Sequence, residues 1–219
     1  MATADDVYQS MLKTSRKNQS GSLTKSDFEK FYNLAQYQYF NDLKGRFQRS
    51  MAASGGTFND ETTSTKLSPF INLNTVVGAT NGLAIKPSNF VRLQAMRTTG
   101  GKAIQSSSYD RLASRIDSAI DPLTNDAPCY IQGATVWQIY PITVAAVNID
   151  YLRLPLKVVW GFTYNAQGRQ VFDLQNSSNP EWLDDDAQEI AVRALKLFGT
   201  SIKDGELISL GEQTNIKGE

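Results

Sequence analysis

The densest acidic group in the sequence is the triplet Asp184-Asp185-Asp186. Carboxylate oxygens bind divalent cations such as Ca²⁺, so a cation site is one interpretation of the triplet. An EF-hand loop would also require a glycine at its sixth position and a glutamate at its twelfth, and neither follows. Three acids equally suit the first turn of a helix, where they complement the helix dipole. We favour this second interpretation and expect the triplet to open a helix.

Two further carboxylates, Asp150 and Glu181, stand beside aromatic residues, namely Tyr151 and Trp182. A pair of carboxylates, one with a raised pKa, is what glycoside hydrolysis requires. No spacing rule joins these two residues, so a glycan-degrading enzyme is kept as an alternative. A carbohydrate-binding adhesion module, using exposed tyrosine and tryptophan side chains, is a second alternative.

Other reactive groups are scarce. Gly100-Gly101-Lys102 resembles the end of a phosphate-binding loop, but it lacks the preceding glycine and the following serine or threonine. Cys129 is the single cysteine and the sequence has no histidine. A nucleophilic thiol normally needs a nearby base, so we expect Cys129 to be a buried structural thiol. The sequence therefore predicts no catalytic residues, no metal site and no cofactor, and a protein that is not an enzyme.

The charge balance limits the classes of partner. The 219 residues include 22 lysines and arginines and 22 aspartates and glutamates, which gives a formal net charge of zero. Dedicated nucleic-acid binders carry a basic excess because they neutralise phosphates, so sequence-specific DNA binding is disfavoured. Zero net charge also removes the self-repulsion that keeps free monomers apart. We expect a chain that folds in a reducing cytoplasm, without a signal peptide or membrane span, and whose ordinary state is association.

The first 50 residues predict a helical hairpin. Ala4–Lys17 has helical spacing of its apolar residues, and a polar stretch at 18–22 separates it from a second helix. Thr24 and Asp27 form a variant capping box at the start of that second helix. Tyr37 and Phe40 lie outside its main apolar stripe. They predict a second buried surface, which a neighbouring subunit would cover.

The rest of the chain predicts an α+β fold. Residues 51–66 are rich in Gly, Ser and Thr and indicate a flexible loop or arm. Residues 67–219 indicate an α+β domain with an antiparallel or mixed sheet, a helix over about Tyr109–Ala119 and C-terminal helices at about 184–213. Gly199 is expected to end the first of these helices, and a last one covers 204–213. The predicted strands are Thr75–Val77, Leu83–Ile85, Phe90–Ala95, Cys129–Ile131, Thr135–Tyr140, Val144–Leu152, Val158–Tyr164 and Arg169–Asp173.

Three segments of the sequence carry a resemblance to a known family. They are Val7-Tyr8 with Lys17–Gln36, Tyr140-Pro141 with Asp150–Pro155 and Trp160–Tyr164, and Ala187 with Ala194–Leu207. In this order they resemble the neck and tail ring proteins, or head-to-tail adaptors, of crAss-like tailed bacteriophages that infect Bacteroidetes.

The resemblance implies a virion structural protein that forms an oligomeric ring below the portal and joins head to tail. It implies a dodecamer whose partners are its own copies, the portal and neighbouring neck or tail rings. Phage DNA would pass through the lumen without sequence-specific binding. The predicted interface residues are Tyr37, Phe40, Tyr151, Arg153 and Trp160. Arg153 shares a strand face with Tyr151 and is the candidate to bridge two subunits.

Overall fold

The computed structural model describes residues 2–17, 23–53, 61–116, 118 and 120–202. The chain divides into two units, one formed by Met1–Pro69 and Pro155–Glu219 and the other by Phe70–Leu154. The predicted domain boundaries are at residues 50 and 66. The observed division differs from them because the C-terminal segment packs with the N-terminal helices and belongs to the same unit. Phe31 and Phe198, for example, have ring centroids 5.7 Å apart. The β-rich unit is thus an insertion within a helical one.

Three helices form the N-terminal part of the helical unit: α1 (Ala4–Lys17), α2 (Lys25–Ala53) and α3 (Glu61–Leu67). The capping box at α2 is confirmed, since the Asp27 amide donates to Thr24 Oγ1 at 3.1 Å and the two side chains are hydrogen-bonded. The predicted loop 51–66 is wrong over 51–53 and 61–66, which are helical, while 54–60 lie outside the described residues. In α3, Thr63 and Leu67 are buried one helical turn apart, which explains why this polar segment folds.

The inserted unit is built on seven strands: β1 (Ile71–Thr80), β2 (Leu83–Ile85), β3 (Phe90–Thr98), β4 (Gln105–Ser106), β5 (Cys129–Gln132), β6 (Val136–Tyr140) and β7 (Ala146–Arg153). Their order is β3-β7-β1-β2-β6-β5-β4. Only the short β4–β5 pair is parallel, so the sheet is mixed, and the α+β class is confirmed. Helix α4 (Tyr109–Ile116) matches the predicted helix as far as Ile116.

The seven-stranded sheet closes on itself. The amide of Thr98 in β3 donates to Lys102 O, and the amide of Ile104 donates to Met96 O, both at 2.8 Å. The same stretch continues into β4, which pairs with β5, so the two edges of the sheet are joined. Rings from distant strands meet inside, with Phe90 and Trp137 at 5.1 Å. One face of each strand except the short, exposed β4 therefore points into a shared apolar core.

The chain then returns to the helical unit with the hairpin β8 (Phe162–Tyr164) and β9 (Gln170–Phe172) and helix α5 (Asp184–Ile202). The acidic triplet opens α5, as predicted. Gly199 does not end it, because Phe198 is buried and the helix continues to Ile202. The predicted helix over 204–213 lies outside the described residues.

The predicted strand Val158–Tyr164 is a regular strand only over Phe162–Tyr164. Before it, the extended backbone is held by polar side chains of α2. Asn33 Nδ2 donates to Val158 O and Val158 N donates to Asn33 Oδ1, both at 2.8 Å. Trp160 N donates to Glu29 at 2.9 Å, and Gln36 donates to Leu156 O at 3.0 Å. Side chains spaced by one turn along α2 thus supply the backbone hydrogen bonds that a neighbouring strand would otherwise make.

Candidate functional site

Three of the five predicted interface residues are buried within their own unit. Phe40 is fully buried. The Tyr151 hydroxyl accepts a hydrogen bond from Asn72 at 2.9 Å. The Trp160 indole donates to Asp5 at 2.9 Å beneath the ammonium of Lys25. The prediction that these three contact another subunit is wrong, because their aromatic surface is already covered by the chain itself.

The other two predicted interface residues, Tyr37 and Arg153, are half-buried. The Arg153 guanidinium lies 5.6 Å from the centre of the Phe70 ring and donates to Leu154 O at 3.3 Å. Its role at a subunit interface stays a prediction.

The two candidate catalytic carboxylates have structural partners. Asp150 is buried, accepts a hydrogen bond from the Asn74 amide at 2.7 Å and forms an ion pair with Arg97. Asn74 adopts a left-handed backbone with φ of 52°, which the Asp150 carboxylate holds in place. Glu181 belongs to the other unit and accepts from the Leu156 amide at 2.9 Å. Each carboxylate therefore stabilises an irregular stretch of its own unit.

Cys129 is buried, as expected, and burial is the main cause that raises the pKa of its thiol. Within the described part of the chain, no three Cys, Asp or Glu side chains are grouped so that they could bind a metal ion. The helices described there include none with the length and hydropathy to span a bilayer.

The inserted unit has an exposed apolar face on β1 and β2, which we call the β1–β2 face (Val76, Gly78, Leu83 and Ile85). Side chains alternate along a strand, so Val77, Ala79 and Ala84 point into the core and their neighbours point outward. Val76 is 66% exposed and Ile85 is 71% exposed. Leu73, in the irregular stretch of β1 between Asn72 and Thr75, is 70% exposed. Several large aliphatic side chains of β1 and β2 thus face solvent.

Gly78 leaves open space above the backbone in this face. A Cβ atom built on Gly78 would meet no atom within 4 Å, and its φ is not in the left-handed region. The neighbouring outward residues on β1 are Val76 and Thr80, and Thr80 pairs with Leu83 of β2. A side chain from another molecule could therefore approach the backbone of Gly78 closely.

Another part of the outer sheet surface, over β5 and the end of β6, is covered by the unit itself. Leu112 of α4 packs on Cys129 and Ile131 of β5, with Leu123 and Tyr140 beside them. The sheet is therefore covered over β5 and β6 and open over β1 and β2. Covering the exposed apolar side chains of β1 and β2 would stabilise the protein by removing apolar surface from water. The packing of α4 on β5 already stabilises the unit in this way.

The helical unit contains a pocket of about 450 Å³ between α3 and the start of α5, which we call the α3–α5 pocket. Asp186 is buried beside it and accepts from Tyr39 Oη at 2.8 Å, and Lys66 Nζ lies 2.8 Å from the same carboxylate. Burial, followed by the hydrogen bond to Asp186, raises the pKa of Tyr39 far above its usual value. Glu61 and Asp185 also line the pocket and are exposed.

The β8–β9 hairpin is a third exposed feature. All three residues of β8 are exposed, and Tyr164 is 67% exposed. Its base is fixed to the helical unit by Lys25, whose ammonium lies 3.6 Å from the centre of the Trp160 ring and donates to Gln170 at 2.6 Å. A two-stranded hairpin is marginally stable by itself, so these anchors matter for its order.

The sequence contained a signal for the β1–β2 face that our reasoning missed. Val76 and Val77 are both apolar, as are Leu83, Ala84 and Ile85. Strict alternation would place polar residues at the outward positions of an antiparallel sheet. Consecutive apolar residues therefore indicate that both faces of these strands are to be buried.

Comparison with models of known protein families finds no match to this chain, and comparison with curated proteins also finds none.

Proposed function

We propose that this chain is a structural subunit of a bacteriophage virion, one of the copies that form a ring in the neck or tail barrel below the portal. It would act by assembly and not by catalysis, joining head to tail around the channel through which DNA passes. The three segments that resemble ring proteins of crAss-like phages support this proposal. So does the zero net charge, which does not oppose self-association.

The observation that carries the proposal is the exposed β1–β2 face. Fully burying an aliphatic side chain is worth about 1.5–3 kcal/mol. Val76, Leu83 and Ile85 leave much of that gain unused in the isolated chain. Association itself costs roughly 4–15 kcal/mol, so this face needs further contacts beside it. A ring provides them, because every copy has two neighbours and stacked rings add more.

The proposal is tested by filling the open space above Gly78. Because the space above Gly78 is open and its backbone is not left-handed, Gly78→Arg leaves the sheet folded while it places a charged side chain on the β1–β2 face. Gly45→Arg on α2 is the matched control, since that glycine also has open space around it. Light scattering of the purified proteins gives the mass of each assembly.

We expect the unaltered chain and Gly45→Arg to form an oligomer of the 24.2 kDa subunit. Gly78→Arg is expected to run as a folded monomer with an unchanged circular dichroism spectrum. An unaltered chain that stays monomeric at every concentration, and is missing from phage particles, would contradict the proposal. Assembly of Gly78→Arg at full mass would show that the β1–β2 face is not buried between copies.

A further inference from the structure

Arg169 is an unpaired cation at the end of the β8–β9 hairpin. The turn before it is ordered by two hydrogen bonds of 2.9 Å, from Gly168 N to Asn165 O and from Arg169 N to Asn165 Oδ1. The Arg169 side chain is exposed, and its guanidinium has no partner among the described residues. Val171 is exposed two residues further along the chain, and Tyr164, which pairs with Gln170, is exposed on the opposite face of the hairpin from Val171. The hairpin thus has an ordered turn with an exposed positive charge, and an exposed apolar side chain two residues from it.

The α3–α5 pocket has the complementary properties. Its inner carboxylate, Asp186, is already neutralised by Lys66 at 2.8 Å. Glu61 and Asp185 remain, and in the described part of the chain neither carboxylate has a hydrogen-bond or ion-pair partner. The lining also includes the exposed Leu183. The pocket therefore offers two unpaired negative charges next to an apolar side chain.

We infer that the β8–β9 hairpin of one copy docks into the α3–α5 pocket of the next copy, with Arg169 between Glu61 and Asp185. This rests on the proposed function and specifies one interface of the ring. Charge complementarity favours a second copy as the occupant, because every copy carries both the exposed Arg169 cation, with Val171 two residues away, and the acidic α3–α5 pocket, whose lining includes Leu183. A planar guanidinium can hydrogen-bond two carboxylates at once, which fits arginine better than a lysine.

The geometry of such a contact is head to tail. Two different patches of the same chain meet, so each copy uses its hairpin on one neighbour and its pocket on the other. Contacts of this kind generate closed rings when the rotation between copies closes. A face that pairs only with itself would stop at a dimer.

The test exchanges the charges. Arg169→Glu and Asp185→Arg are each expected to lose assembly, so that the mass measured by light scattering falls to that of the 24.2 kDa subunit. Arg46→Glu, at an exposed position on α2, changes the net charge by the same amount as Arg169→Glu and is expected to assemble normally. Melting curves verify that each variant is folded, because Asp185 also lies in the first turn of α5.

Restoring opposite charges at positions 169 and 185 makes the test specific for the contact between these two residues. The double variant with both changes is expected to assemble again. An equimolar mixture of the two single variants is also expected to assemble, in alternating order. If both single variants assemble at full mass while the unaltered chain forms rings, this inference fails and the proposed function stands. If only Asp185→Arg is defective, the pocket binds some other cation and the hairpin is not its occupant. An unaltered chain that never assembles defeats the proposed function itself.

Discussion

Tyr39 and Asp186 are joined by a hydrogen bond of 2.8 Å in the interior of the helical unit, where both side chains are buried. Lys66 Nζ lies 2.8 Å from the same tyrosine oxygen and 2.8 Å from the carboxylate. Three residues from α2, α3 and α5 thus form one polar cluster. It fixes the first turn of α5 against α2 and positions the short helix α3 beside them, and so shapes the α3–α5 pocket.

Removing the Tyr39 hydroxyl tests this cluster. We expect Tyr39→Phe to lower the free energy of unfolding by about 1–3 kcal/mol, because a buried carboxylate loses one of its donors. Urea denaturation measures the change. Tyr37→Phe, on the same helix and half-buried, is the control and is expected to change stability by less than about 0.5 kcal/mol. Equal losses in the two variants would mean that the hydroxyl of Tyr39 has no special role.

Tyr32 predicts a dependence on alkaline pH. Burial raises the pKa of its phenol far above the usual value of about 10. The unfolded chain therefore releases this proton at a lower pH than the folded chain does. The folded state is fully favoured below pH 10 and loses stability as the pH rises beyond that value.

The Tyr32→Phe variant isolates this effect. The hydroxyl has no hydrogen-bond partner among the described residues, so its removal is expected to change stability little at pH 7. Between about pH 10 and 12 the variant is expected to lose less stability than the unaltered chain. Chemical denaturation across that range provides the measurement. Superimposable pH profiles would refute the assignment.

Asn33 is the central residue of the side-chain ladder that replaces a partner strand. Asn33→Ala removes two hydrogen bonds of 2.8 Å to the backbone of Val158. Leaving a buried backbone donor and acceptor unsatisfied costs roughly 1–3 kcal/mol for each group. We expect faster hydrogen exchange at the Val158 amide together with a loss of stability. Asn41→Ala, at an exposed position on the same helix, serves as the comparison, and a similar exchange rate in both would contradict the assignment.

Much of the fold could be predicted because its signals are local. The capping pair Thr24 and Asp27 marks the start of α2, and the triplet at 184–186 marks the start of α5, since each cap acts within one helical turn. The segment Leu83–Ile85 is bounded by turn residues and forms the strand with the predicted limits. Such features depend on neighbours in the sequence.

The predictions from the sequence are wrong where the structure depends on contacts between residues that lie far apart in the sequence. Gly199 stands where a helix often ends, but the packing of Phe198 on Phe31 carries α5 past it. Trp160 and Phe40 are predicted from the sequence as interface residues. In the structure, residues from other parts of the chain bury both side chains. The pairing of Tyr39 with Asp186 spans 147 positions, and no local pattern indicates it. The division of the chain into two units likewise depends on contacts between distant residues, which no local pattern indicates.

The most direct test of the central claim is electron microscopy of the purified chain, with particle images averaged without imposed symmetry. We predict closed rings with a central channel and a rotational symmetry that the averages reveal. Two results together would contradict the claim that copies of this chain bury their surfaces against one another. The images would show only single compact 24.2 kDa subunits at every concentration tested, and phage particles would lack the protein.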